Sequence, residues 1–145
     1  MDKYLRPKGF LQLGGIILLV LGIAGFLLEL IFPAGKFLTA FGAGDVLYFD
    51  AFENIAHTIL GIVALIAARV LAPNLQKWLV ALLGVFGIVV TLLGFAYAGL
   101  PAPNLGVTNV ELLDDVVHFV VGVWALVAAF RPAAVMEAVT GRVTR

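Results

Sequence analysis

The chain has two histidines, and each follows a polar pair by one helical turn. Glu53 and Asn54 precede His57; Asp114 and Asp115 precede His118. An imidazole in that position can be held by hydrogen bonds to the neighbouring acid, or can present a ring nitrogen to a macrocycle. Beyond each ring the residues turn small at matched intervals. His57, Gly61, Ala64 and Ala68 form one set, and His118, Gly122, Ala125 and Ala129 the other. The spacing i, i+4, i+7, i+11 marks a single helix face.

Two chemistries compete for these residues. In the structural one, Glu53, Asn54, Asp114 and Asp115 cap helix starts, suit the positive end of the helix dipole and hold the adjacent ring. The small residues then form a seam against which another helix packs. In the other, His57 and His118 share one b-type haem or each bind a chlorophyll-type pigment, and the small residues leave room for a flat macrocycle. The structural reading is the expectation, because the acids already account for each ring's position and both rings lie close to a helix end. No cofactor, no metal site and no catalytic residue is then expected.

The elements that carry these residues are apolar. Sixty-three percent of the 145 residues are hydrophobic and 12% are charged, too few to give a soluble domain its polar shell. Apolar tracts of about 20 residues match a bilayer core of roughly 30 Å. They predict four transmembrane helices at 10–32, 54–71, 78–100 and 116–130, closed by Pro33, Pro73, Pro101 and Pro132. The last is the shortest and reaches full length only with Leu112 and Leu113. The apolar run of the first span is too long for a cleaved signal peptide, so that span is expected to be retained.

Charge supplies a direction. Eight of the nine basic residues (Lys3, Arg6, Lys8, Arg69, Lys77, Arg131, Arg142 and Arg145) fall on the side of the termini, and Lys36 falls opposite. The excess of positive charge predicts both termini in the cytoplasm. Glu29, Asp45, Asp50, Glu53, Glu111, Asp114 and Asp115 gather at or near the outer side. Tyr4 and Trp78 fit an inner aromatic belt, Tyr48 and Tyr97 an outer one, and Trp124 a packing role within its span. The first outer connection, which includes Lys36 and Tyr48, is apolar enough to lie on the membrane or dock another subunit. Zero net charge without a basic run argues against nucleic acid as a partner, and the lack of cysteine excludes disulfides and thiolate ligands.

The spans also repeat. At one constant offset Glu53 aligns with Asp114, Asn54 with Asp115, His57 with His118, Gly61 with Gly122 and Leu65 with Leu126. The first and third spans align more weakly, through Gly15 with Gly84 and Gly25-Phe26 with Gly94-Phe95. The fold class expected is therefore all-α: a polytopic membrane protein of four transmembrane helices built from two parallel-repeat helical hairpins. One domain covers 1–145, with repeats at about 9–72 and 77–131 and a short cytoplasmic tail at 132–145.

The doubled pattern Asn54-x-x-His57-x-x-x-Gly61 and Asp115-x-x-His118-x-x-x-Gly122 resembles the four-helix bacterial proteins grouped as domain of unknown function 4383. The resemblance spans nearly the whole chain and implies a multi-pass protein of the bacterial inner membrane without transferring a mechanism. No phosphate-binding glycine loop, metalloprotease motif or nucleophile elbow accompanies it. The functional expectation is a non-enzymatic integral membrane protein, an accessory subunit whose partners are the lipid bilayer and other membrane subunits or further copies of itself. A haem- or pigment-binding subunit of an electron-transfer or photosynthetic complex is the alternative. A small transporter is the second, disfavoured by the few charges within the spans.

Overall fold

The computed structural model describes residues 2–32, 50–101, 105–106, 108 and 112–131. A short 3-10 turn, Asp2–Leu5, leads into α1 (Pro7–Ile31). Then follow α2 (Ala51–Val70), α3 (Pro73–Tyr97) and α4 (Leu112–Phe130). Among the described residues all regular structure is helical. The helices hold 25, 20, 25 and 19 residues, which at about 1.5 Å per residue is roughly 28–38 Å. All four are long and apolar enough to cross a membrane.

Their boundaries follow local chemistry and depart from the sequence expectation at three places. Pro73 does not close α2; it opens α3 at a position where a missing N–H costs nothing. Helix α3 ends at Tyr97, ahead of Pro101, where a turn bond from Leu100 N to Tyr97 O and a positive φ at Gly99 take over. Helix α2 starts three residues early because Asp50 caps it, accepting from the Glu53 N–H at 2.8 Å. The capping role expected of Asn54 thus belongs to Asp50, and Asn54 stands inside the helix. In α4, Leu112 and Leu113 do complete the last helix.

Helix α1 packs along α2, and α3 along α4, with α1 also touching α3 and α4. Both close pairs are antiparallel. A Cβ at Gly15 would stand 3.1 Å from the Gly61 carbonyl, while Gly22 and Gly25 meet Asn54 further along. In the other pair, a Cβ at Gly84 would stand 3.0 Å from the Gly122 carbonyl, and Gly94 meets Asp115. Only hydrogen at the α-carbon permits backbones to approach this closely.

The turn between α2 and α3 is two residues long, Leu71 and Ala72, and would strand the last carbonyls of α2. Buried Gln76 resolves this: its Nε2 donates to Leu71 O at 3.0 Å, Ala68 O at 3.2 Å and Ala67 O at 3.4 Å. The N-terminal segment is fastened by Trp124, whose Nε1–H donates to Tyr4 O at 2.9 Å while its ring meets Phe10 edge-on at 4.5 Å. Trp124 is therefore more than packing within a span. The described basic residues Lys3, Arg6, Lys8, Arg69, Lys77 and Arg131 all lie at the end of the helices that holds this turn. Asp50, Glu53, Asp114 and Asp115 lie at the other, whereas Asp2 lies in the 3-10 turn at the basic end. The expectations for Lys36, Tyr48, the outer connection at 33–49, Glu111 and the tail at 132–145 fall outside the described residues, as does the Glu29 side chain.

The buried core is made of small side chains, Ala64, Ala67, Ala68, Ala81, Ala125, Ala128 and Ala129, joined by Phe10, Leu11 and Val80. Large aliphatic and aromatic side chains point outward on every helix. This inverts the order of a water-soluble protein, where bulk goes inside.

Candidate functional site at the acidic helix ends

The repeated polar residues gather where α2 and α4 begin. Asn54 is fully buried at 0% exposure and Asp115 nearly so at 2%, each on the face turned to its partner helix. Asn54 lies against Gly25 of α1, and Asp115 against Gly94 of α3. Neither amide atom of Asn54 has a hydrogen-bond partner among the described residues.

The backbone around both sites is served by a threonine that comes from different helices. Thr58 Oγ1 donates to Asn54 O at 2.8 Å from within α2. Thr91 Oγ1, on α3, stands 3.0 Å from both Asp115 O and Gly87 O. At the offsets that align the spans, Thr91 stands opposite Gly22 and Thr58 opposite Phe119, so the hydroxyl comes from a different helix of each pair while the carbonyl it meets is at the aligned position. Sequence alignment of the spans does not expose this exchange, because each threonine alone looks like an ordinary small residue.

The histidines differ. His118 donates from Nδ1 to the Asp114 carbonyl at 2.8 Å, which in the neutral ring leaves the lone pair on Nε2. His57 Nδ1 is buried with no such bond among the described residues. Both rings are half-buried, and His57 lies within electrostatic reach of His118 and Asp50. The two imidazoles thus lie near the same end of the helices. Glu53 and Asp114 stand in the first turns of their helices, where a carboxylate favours the positive dipole end.

A clasp closes this end. Thr108, buried in the connection before α4, donates from Oγ1 to Asp50 Oδ2 at 2.6 Å, with Glu53 Oε1 at 3.3 Å. Asp50 therefore caps α2 with one oxygen and holds the distant connection with the other. The sequence carries a signal for the first half, since Asp50-x-x-Glu53 has capping-box spacing. It carries none for Thr108, 58 residues away. Below the clasp, Gly61, Ala64, Ala68, Gly122, Ala125 and Ala129 are all buried, with Ala67 and Ala128 beside them. Among the described residues no group of three His, Asp or Glu side chains could hold a metal ion.

Small-residue seams, polar groups confined to the helix ends and an apolar exterior define a four-helix membrane protein. More narrowly, the chain belongs to the family described as Domain of unknown function (DUF4383), whose model matches residues 9–131. No curated protein and no solved structure matches it.

Proposed function

We propose that this is a non-enzymatic multi-pass protein of the bacterial inner membrane, with both termini cytoplasmic, that serves as an accessory subunit in a larger membrane assembly. In this reading it is a duplicated helical hairpin, and its two halves supply a rigid packing scaffold. The observation that carries the proposal is how little of each span the protein covers by itself. Only 22–33% of each span's apolar window is buried, and Ile62, Leu82, Phe86 and Phe119 are among the bulky side chains left outside. Lipid and neighbouring subunits would cover that surface. Equivalent glycines meeting equivalent carbonyls in the two helix pairs support the duplication. The concentration of described basic residues at one end supports the orientation.

His57 and His118 are structural in this proposal and bind no prosthetic group. A competing reading, ligation of b-type haem or a chlorophyll-type pigment, draws on the Nδ1 bond of His118, since a ring held that way directs Nε2 at a ligand. An absorption spectrum of the gently purified protein separates the two: a stoichiometric Soret or chlorophyll-type band lost in His118→Ala would establish ligation. The subunit role is tested by photo-crosslinking amino acids placed in living cells at Ile62, Leu82, Phe86 and Phe119. A reproducible protein adduct at one or more of these sites is expected; lipid adducts alone at all four would refute an assembly role.

A further inference from the structure

We propose that the basic end carries a binding site for one anionic phospholipid, formed by the open apolar groove beside Phe130 with Lys77 and Arg131 at its rim. This rests on the membrane placement proposed above. Leu126, Val127 and Phe130 line the groove along the last turns of α4, and Arg131 closes it at the helix end. Leu126 also meets Gly84, so the groove follows the flank where α4 packs on α3. Lys77, from the start of α3, places its ammonium 5.3 Å from the Phe130 ring centroid and 5.6 Å from that of Trp78. Trp78 and Phe130 are themselves in edge contact at 6.1 Å.

Two cations from two helices are thereby brought to the rim of one apolar surface. Asp50, Glu53, Asp114 and Asp115 stand at the opposite end of the helices, and Asp2, in the 3-10 turn, shares the basic end with five lysines and arginines besides Arg131. An occupant must match both features: an acyl chain for Leu126, Val127 and Phe130, and an anionic phosphate at the level of Lys77 and Arg131. Half-exposed Trp78 marks that level as the interface, where indole rings settle among headgroups. A zwitterionic lipid offers the same chain with a compensating positive charge, which the two cations disfavour. Basic pockets at the cytoplasmic ends of helices select anionic headgroups for this reason.

Native mass spectrometry of the full chain, released from micelles containing equal amounts of phosphatidylglycerol and phosphatidylcholine with identical acyl chains, tests the site. One phosphatidylglycerol should be retained in preference to phosphatidylcholine. Lys77→Gln and Arg131→Gln should each weaken that preference about fivefold, the scale expected per cation near a charged surface. Arg69→Gln, a basic residue outside the groove, should leave it unchanged. Val127→Trp fills the groove and keeps both cations, so it should abolish retention of either lipid at this site. Equal retention of the two lipids by the wild-type chain, or equal losses in Arg69→Gln and Arg131→Gln, would overturn the inference. Membrane insertion and orientation are read separately by cysteine labelling, so a correctly inserted protein without lipid preference defeats this inference alone.

Discussion

Asn54 and Asp115 show how much a single position depends on its surroundings. Each sits one turn before a histidine, fully or almost fully buried, and each rests on a glycine of the facing helix. One socket holds a neutral amide and the other a carboxylic group of the same shape. Asp115→Asn should therefore fold with a thermal midpoint close to wild type, whereas Asp115→Leu should be strongly destabilised because branched bulk replaces a flat group against Gly94. Equal midpoints for the two variants in detergent would show that the socket is not shape-selective. Thr108 makes a sharper case, since its hydroxyl is the link from a distant connection to the cap of α2. Thr108→Val keeps the volume and removes the donor, and should cost about 1.5–3 kcal/mol, the range for a hydrogen bond to a charged group. Chemical unfolding in mild detergent measures it; an unchanged midpoint would mean that the clasp contributes nothing to stability.

At the scale of elements, the energy lies in the glycine seams. A Cβ at Gly61 would come within 2.8 Å of the Gly15 carbonyl, and one at Gly122 within 3.0 Å of Gly84's. Backbone cannot yield as a side-chain tip can. Gly61→Leu and Gly122→Leu should each destabilise by at least the roughly 1–3 kcal/mol typical of overpacking, while Val63→Leu, on the exposed side of α2, should be tolerated. Comparable yields of monodisperse protein from all three variants would refute the seam. The connection between α2 and α3 has a different dependence, on one amide. Gln76→Leu would strand the carbonyls of Ala68 and Leu71, while the Ala67 carbonyl keeps its bond from Leu71 N. A loss of about 1–3 kcal/mol is expected, seen as faster amide hydrogen exchange across the last turn of α2.

For the whole molecule the testable quantity is its direction in the membrane. Six described basic residues mark one end, and the carboxylates Asp50, Glu53, Asp114 and Asp115 mark the other. With the basic end in the cytoplasm, a cysteine at Asn74 should resist an impermeant thiol reagent in intact cells. Cysteines at Lys36 and Asn104 should react with it. The reverse labelling pattern would invert the topology and with it the leaflet proposed for the phospholipid site. Such a molecule needs little internal bulk, because its outer surface is solvated by hydrocarbon and its backbone bonds are satisfied within each helix.

The sequence by itself determined the number of spans and the small face on two of them. Both are local properties: an apolar tract of bilayer length is helical wherever it sits in a membrane, and a face of Gly61, Ala64 and Ala68 repeats with the turn of its own helix. Family membership was legible for the same reason, through two short motifs each contained in one helix. Tertiary structure decided what the polar residues do. Asn54 reads as a cap until the helix is seen to start three residues earlier, at Ala51 with Asp50 as its cap, after which the same side chain lies inside the seam against Gly25. The reach of Thr108 to Asp50 and the three carbonyls gathered by Gln76 are equally absent from periodicity. Periodicity states which face of a helix is small, and only a neighbouring backbone states what that face meets.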